Sequence, residues 1–297
     1  MLAVQHLTKV FAGGKGIHDI TFDVQPGEVF GFLGPNGAGK STTIRHIMGF
    51  MKPEQGSCTI KGMDTWKSRE RVQQLVGYLP GEIAFFEGMT GKGFLDFMAD
   101  MKHLKDHSRR QELIGRFQFD DRTPIRKMSK GMKQKVGIVA AFMHRPEVII
   151  LDEPTSGLDP LMQRLFIELV LEEKERGTTF LMSSHSFPEI ERTCDRAAII
   201  KDGKLVGVKN MHELRTMQRK WIDITFADAD SAVKFSASGL DIQNTNRSRV
   251  VVAVQGGDYP AVLKELAKYP VVNLEIAAQN LEDIFMDYYD AGKEAAK

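Results

Sequence analysis

The stretch from Gly34 to Ser41, GPNGAGKS, constrains this chain more than any other. It fulfils the pattern GxxxxGK[ST]. It stands between a short apolar run, Val29 to Leu33, and a helical pattern with Ile44, Ile47 and Met48 on one face, stopped at Gly49. Glycines let a backbone curl until successive N–H groups, here those of Asn36, Gly37, Ala38 and Gly39, point inward at phosphate oxygens. The helix that follows adds its positive N-terminal end. In such a cradle Lys40 reaches the β- and γ-phosphates, the Ser41 hydroxyl ligates Mg²⁺ and Thr42 assists at the phosphates. The competing reading is a glycine turn that merely joins two elements. The order strand, loop, helix disfavours it.

A second motif sits at the end of another apolar run. Val148 to Leu151 reads as a parallel strand buried on both faces, and Asp152 and Glu153 follow at its carboxyl end, where α/β sheets bind ligands. Asp152 is placed to hold Mg²⁺ through water, and Glu153 to orient or deprotonate an attacking water. Alone, two acids capping a strand are more often solvated. The phosphate loop upstream reverses that preference.

Between and after these motifs, strand and helix patterns alternate, as in α/β folds. Helical spacing at Met132, Val136, Val139 and Phe142 runs up to Pro146, residues 161–176 form another helical pattern, and Thr178 to Met182 another strand. The pattern changes after about residue 215. Strands at 221–227, 240–245, 249–255 and 271–276, with helices at 229–237 and 258–268, give the order βαββαβ of a ferredoxin-like sandwich, the polar stretch Asn244 to Ser248 serving as a turn. A last helix begins at the N-cap Asn280, with Leu281, Ile284, Phe285 and Tyr288 on one face. The expected domains are therefore 1–215, with a helical subdomain at about 83–145, and 216–297.

Composition narrows the class of function. The formal net charge of the 297 residues is +1, so no bulk field draws the chain onto nucleic acid or an anionic membrane. The basic run from Arg122 to Lys135 follows Asp120 and Asp121, and no nucleic-acid partner is expected from it. The N-terminus has no signal-peptide pattern, and apolar runs fall far short of the roughly 20 residues that cross a bilayer. Cys58 and Cys194 form no CxxC pair, which fits a reducing cytosol. His103 and His107 stand four apart, but HLKDH lacks the glutamate of HExxH, so a solvated helix end is the better reading.

Several further stretches carry a family resemblance. The run from Met128 to Gln134 (MSKGMKQ) resembles the signature sequence of ABC ATPases, Ser156 to Asp159 (SGLD) their D-loop, and His185 their switch histidine. The stretch from Ser183 to Leu205 follows the family throughout, so the resemblance covers about residues 1–210. The remainder resembles the C-terminal extension of a bacterial exporter subfamily, whose chains often end in a LEDIF-like helix as at 281–285. The resemblance implies an α/β P-loop NTPase of the ABC ATPase type: a parallel core sheet, an antiparallel β subdomain and a helical subdomain, here with a small α+β ferredoxin-like C-terminal domain. It implies an ATP-hydrolysing subunit with ATP and Mg²⁺ as cofactors. Its partners would be a transmembrane permease and a second ATPase subunit, at the cytoplasmic face of a bacterial membrane. The cargo class would be peptide antibiotics or other amphiphilic compounds. A soluble ABC ATPase with a role such as cofactor assembly is the alternative.

Residue by residue, the resemblance implies that Ser129 and the Gly131 N–H meet the γ-phosphate bound to the other subunit, and that Asp159 touches the partner's phosphate loop while capping a helix. His185 would contact the γ-phosphate and hold Glu153 and water, and Phe11 would stack on adenine. Two departures stand out. Lys130 and Met132 replace the usual glycine and glutamine of the signature. Gly81 occupies the place of a glutamine that touches Mg²⁺ and the attacking water, a role that falls either to Glu82 near the metal or to a water. The segment from Ile83 to Met98, with Phe85 and Phe86 in a loop beside the site, is expected to dock the membrane partner.

Overall fold

The computed structural model describes residues 1–217, 220–254 and 259–278. It divides into two compact units, Met1–Lys209 and Asn210–Lys297. In the first, Leu2–Val10 (β1) and Gly16–Val24 (β2) pair antiparallel, followed by Val29–Leu33 (β3) and, after the glycine loop, Lys40–Ile47 (α1). Gln55–Ile60 (β4), Met63–Asp64 (β5), Arg69–Leu75 (α2) and Val76–Leu79 (β6) come next. A helical stretch then contains Gly91–Met101 (α3), Ser108–Phe117 (α4), a 3-10 turn at Ile125–Lys127, and Lys130–Phe142 (α5). The chain returns through Val148–Asp152 (β7), Pro160–Glu175 (α6), Thr179–Ser184 (β8), Phe187–Thr193 (α7), Arg196–Lys201 (β9) and Lys204–Asn210 (β10).

Two sheets result, with strand orders β2-β1-β4-β5 and β10-β9-β3-β8-β7-β6. In the second, β9, β3, β8, β7 and β6 run parallel. Every residue of β3, β7 and β8 is buried, as expected of parallel strands covered on both faces. That is why these runs are continuously apolar rather than alternating. The sheets share one core, in which the Phe22 ring stacks on Phe30 with centroids 5.1 Å apart. β9 and β10 are joined through Asp202 and Gly203, both at positive φ, the geometry of a two-residue hairpin turn.

The second unit opens with Met211–Met217 (α8) and continues as Lys220–Phe226 (β11), Ala229–Ser236 (α9), Ile242–Asn246 (β12), Arg249–Val254 (β13), Tyr259–Leu266 (α10) and Val271–Ala278 (β14). The strand order β12-β13-β11-β14 and the element order βαββαβ are those of a ferredoxin-like sandwich. Alternation builds its core. Ile222, Ile224 and Phe226 of β11 and Val250, Val252 and Val254 of β13 face Phe235 and Leu266 of the helices. Asp228 caps α9 by accepting from the Ser231 N–H at 2.7 Å. The turn is tighter than the sequence suggested, because Asn244 to Asn246 belong to β12. The helix expected from Asn280 lies outside the described residues. Among the described residues no helix is long and apolar enough to cross a membrane.

One buried ion pair ties the helical stretch to the sheet's covering helices. Arg109 of α4 donates to Glu173 of α6 at 2.5 Å, with the two side chains 2% and 5% exposed, and Arg176 also reaches Glu173 at 2.9 Å. Removing Arg109 leaves the buried Glu173 with the more exposed Arg176 alone to match it. Arg109→Ala should therefore destabilise the chain by about 3–5 kcal/mol, whereas Arg164→Ala, at an exposed position on α6, should stay within about 0.5 kcal/mol. Urea unfolding checks both, and equal midpoints for the two variants would contradict the assignment.

Candidate functional site

The glycine loop is shaped by what surrounds it. A Cβ at Gly34 would stand 2.3 Å from the Ile200 carbonyl oxygen, and one at Gly39 would stand 2.6 Å from the Ile17 side chain, at a φ of 111° that only glycine adopts without strain. Lys40 is 4% exposed, and its Nζ donates to the carbonyls of Gly34 at 2.7 Å and Pro35 at 3.2 Å. The lysine thus folds back over the loop and holds the curl. Ala38 is buried, and its N–H donates to the Pro35 carbonyl at 3.2 Å, so it closes the turn from within. A cavity of about 220 Å³ opens in front of this loop, lined by Phe11, Lys15, Gly16, Asn36, Gly37, Gly39, Lys40, Ser41, Thr42 and Glu153. Phe11 is 42% exposed at its rim, with Lys9 Nζ 5.7 Å from the ring centroid. An exposed aromatic face beside a phosphate cradle is free to stack on a base.

The parallel register brings the acids to the same end. Leu33 lies opposite Ser184, and Asp152 opposite Ser183. Asp152 is buried and accepts from the Ser183 hydroxyl. Glu153 departs from strand geometry with φ 49°, a left-handed conformation costing of order 1 kcal/mol or more for a side chain of this kind. Its N–H holds that turn by donating to the Ser183 carbonyl at 3.1 Å and the Ser183 hydroxyl at 3.2 Å. The consequence is a carboxylate swung out of the strand direction. One oxygen lies 3.5 Å from Lys40 Nζ and the other 3.3 Å from His185 Nδ1.

A second cavity, about 400 Å³, is lined by Ser41, Arg45, Tyr78, Pro80, Gly81, Glu82, Lys130, Asp152, Glu153 and Ser156. Gly81 lies against Asp152, close enough that a Cβ would touch the carboxyl at 3.4 Å. Burial and the neighbouring Asp152 charge push the Tyr78 hydroxyl up to about 12, so it stays neutral. Oxygen groups of Ser41, Asp152 and Glu82 therefore face one space, a donor set suited to a hard divalent cation.

Ser129, Gly131 and Asp159 are not among the residues lining the Lys40 cavity. Ser129 caps α5 by accepting from the Met132 N–H at 3.2 Å, and Asp159 caps α6 by accepting from the Met162 N–H at 3.0 Å. Sequence reasoning missed three contacts. Gln134, which ends the signature stretch, is buried and donates to the Pro154 carbonyl at 2.7 Å. Lys130, although exposed, donates to the Ser156 hydroxyl at 2.9 Å. Lys15 lines the first cavity with nothing in its local sequence to mark it.

Comparison with known proteins places this geometry. Residues 17–156 match the family model described as ABC transporter. The bacitracin transport ATP-binding protein BcrA of Bacillus licheniformis is 34% identical over 247 residues, covering 80% of this chain and 79% of that protein. The linearmycin resistance ATP-binding protein LnrL of Bacillus subtilis strain 168 is 35% identical over 219 residues, covering 72% and 70%. A solved structure of an ATP-binding subunit of an ABC transporter is similar with a TM-score of 0.67 and 33% identity, covering 72% of this chain and 92% of that one.

Lys40 is the buried cation at the floor of a cavity that Lys15 also lines, so Lys40→Ala should weaken ATP binding by about tenfold or more, as expected for the loss of a charge-assisted hydrogen bond. Titration calorimetry checks it. Equal affinities in the two proteins would remove Lys40 from the phosphate cradle.

Proposed function

The chain belongs to the ABC transporter ATP-binding protein family, and we propose that it powers a separate transmembrane exporter by hydrolysing ATP in a nucleotide-sandwiched dimer. The observation that carries this reading is the placement of Glu153 between Lys40 and His185, at 3.5 and 3.3 Å. A carboxylate so held can orient a water in line with a γ-phosphate whose charge Lys40 matches. The water oxygen forms its bond to phosphorus as the bridging oxygen leaves with ADP, and Glu153 receives the water proton. His185 holds Glu153 and contacts the γ-phosphate. Asn36, Gly37, Ala38, Gly39, Ser41 and Thr42 build the cradle, and Phe11 stacks on adenine. Ser41, Asp152 and Glu82 would hold Mg²⁺, which neutralises phosphate charge when bound.

The dimer follows from what one chain leaves apart. Ser129 and Gly131 present a helix N-terminus that favours an anion and Asp159 caps the next helix, yet none of the three lines the cavity of its own phosphate loop. A second ATPase subunit, identical or related, facing the first brings the signature of each to the nucleotide of the other. The bacitracin and linearmycin relatives support a cargo of peptide antibiotics or other amphiphilic compounds. They also support a working position at the cytoplasmic face of the membrane, beside the permease.

The docking surface for that permease is an apolar groove. A cavity of about 490 Å³ is lined mainly by Phe50, Ile83, Ala84, Phe86, Phe94, Phe97 and Met98. Arg45, Tyr78, Pro80 and Glu82 line both this groove and the space beside Asp152. A segment seated in the groove would thereby touch the residues next to the reacting phosphate. The two phenylalanines of the loop differ in role. Phe85 packs edge-on against Phe94 at 4.8 Å, whereas Phe86 is 53% exposed and meets Phe97 at 5.6 Å.

Two outcomes are expected. Glu153→Gln keeps shape and ATP binding but loses the base, so turnover should fall about a hundredfold or more, and gel filtration with ATP should reveal a trapped dimer. Hydrolysis at the wild-type rate would remove Glu153 from this role. For the groove, Phe86→Ala combined with Phe97→Ala should abolish co-purification with the permease while leaving the melting temperature within a few degrees, and Phe85→Ala should mainly lower stability by about 3 kcal/mol. Retained co-purification by the double variant would rule the groove out as the docking surface.

A further inference from the structure

We propose that Glu189 is a positioning residue for ATP hydrolysis: by accepting the Ser184 hydroxyl it fixes the turn 184–186 and thereby sets His185 against Glu153. This rests on the role given to His185 above. His185 is itself 58% exposed, so packing does little to place it, and its ring meets Glu153 Oε2 at 3.3 Å. Its position is therefore inherited from the backbone on either side.

That backbone is pinned by one oxygen. The Ser184 hydroxyl donates to Glu189 Oε2 at 2.6 Å and accepts from the Ser186 N–H at 2.9 Å. A hydroxyl has a single proton. An ionised carboxylate can only accept, so Glu189 draws that proton toward itself and leaves the Ser184 lone pairs turned to the Ser186 N–H. The competing acceptor, the Ser186 carbonyl, lies farther off at 3.3 Å. The residues before and after His185 are thus locked to each other through Ser184, and the direction of the lock is set by Glu189.

The carboxylate is an expensive choice for a mere spacer. Glu189 is 6% exposed, and burial pushes its carboxyl above the usual range against the opposing pull of the Ser184 and Thr155 hydroxyls. An apolar residue would fill this place at lower cost. Glu189 also shares a cavity of about 510 Å³ with Glu153, Thr155 and His185, so its effect stays local to the hydrolytic end of the site. It acts through the turn, without touching the nucleotide cradle around Lys40.

Steady-state ATP hydrolysis by the full chain tests this. Glu189→Ala should lower kcat about tenfold or more with the KM for ATP within twofold. Glu189→Gln, whose amide oxygen still accepts from Ser184, should recover most of that loss. Ser184→Ala, which removes only the hydroxyl, should match Glu189→Ala even where the latter folds poorly. The decisive comparison is with His185→Ala: adding Glu189→Ala to it should cost nothing further, whereas independent structural damage would multiply. A wild-type kcat for Glu189→Ala beside a slow His185→Ala overturns this inference alone, as does a multiplicative double variant. A wild-type rate for His185→Ala overturns the role of His185 and this inference with it.

Discussion

The parallel register of three buried strands is the constraint from which the rest of the site follows. β3 delivers the glycine loop, β7 delivers Asp152 and Glu153, and β8 delivers Ser184 and His185, all at one sheet edge because Leu33 pairs with Ser184 and Asp152 with Ser183. A slip of one residue in any of these pairs would send the reacting groups to opposite faces. Complete burial of the three strands forbids that slip. The glycine loop is then compressed between β2 and β9, with Ile17 and Ile200 leaving no room for side chains at Gly39 and Gly34. Its curl is a consequence of tertiary packing as much as of glycine freedom.

Much of this was legible in the sequence, for identifiable reasons. Continuous apolar runs mark doubly covered strands, and a lysine and hydroxyl after a glycine loop specify phosphate chemistry locally. The βαββαβ order was legible because β11 and β13 alternate strictly. β12 was less so: it is an edge strand whose Gln243 to Asn246 are exposed, so no buried face imprinted a period and part of it read as turn. The left-handed backbone at Glu153 left no mark either. Glutamate is not a residue that seeks positive φ, and the conformation is held by the Glu153 N–H, which donates to both the carbonyl and the hydroxyl of Ser183. Long-range side-chain contacts such as Gln134 to Pro154 and Lys130 to Ser156 have no periodicity and are visible only in three dimensions.

Those two contacts bear on how the signature departure at Lys130 is tolerated. The signature turn and the loop after Glu153 meet backbone to backbone: a Cβ at Gly131 would stand 2.8 Å from the Gly157 carbonyl oxygen, and one at Gly157 would stand 3.0 Å from the Lys130 side chain. A residue with a long flexible stem fits beside such a contact because its head can leave it, and Lys130 does so by reaching the Ser156 hydroxyl. Met132 needs no special accommodation, since only its backbone N–H is used, by the Ser129 cap. The departures change side chains while keeping Gly131, where the close approach forbids any.

The same contacts tie the signature turn to the loop that follows Glu153. Gln134 holds the carbonyl of Pro154, the residue after Glu153, and Lys130 holds Ser156 two positions further on. Both come from the first turns of α5, whose N-cap is Ser129. Arg109 and Glu173 fasten α4 to α6, whose own N-cap is Asp159 at the far end of the same loop. The helical stretch is therefore tied to the loop 153–159 at both ends, through hydrogen bonds from α5 at one and, by way of α6, a buried ion pair at the other. The Gln134 bond and the Arg109–Glu173 pair are buried, so a half-made arrangement of either leaves a buried group unsatisfied, whereas the Lys130 bond is exposed. Gly81, for its part, leaves Asp152 approachable from the side where Glu82 and Tyr78 stand.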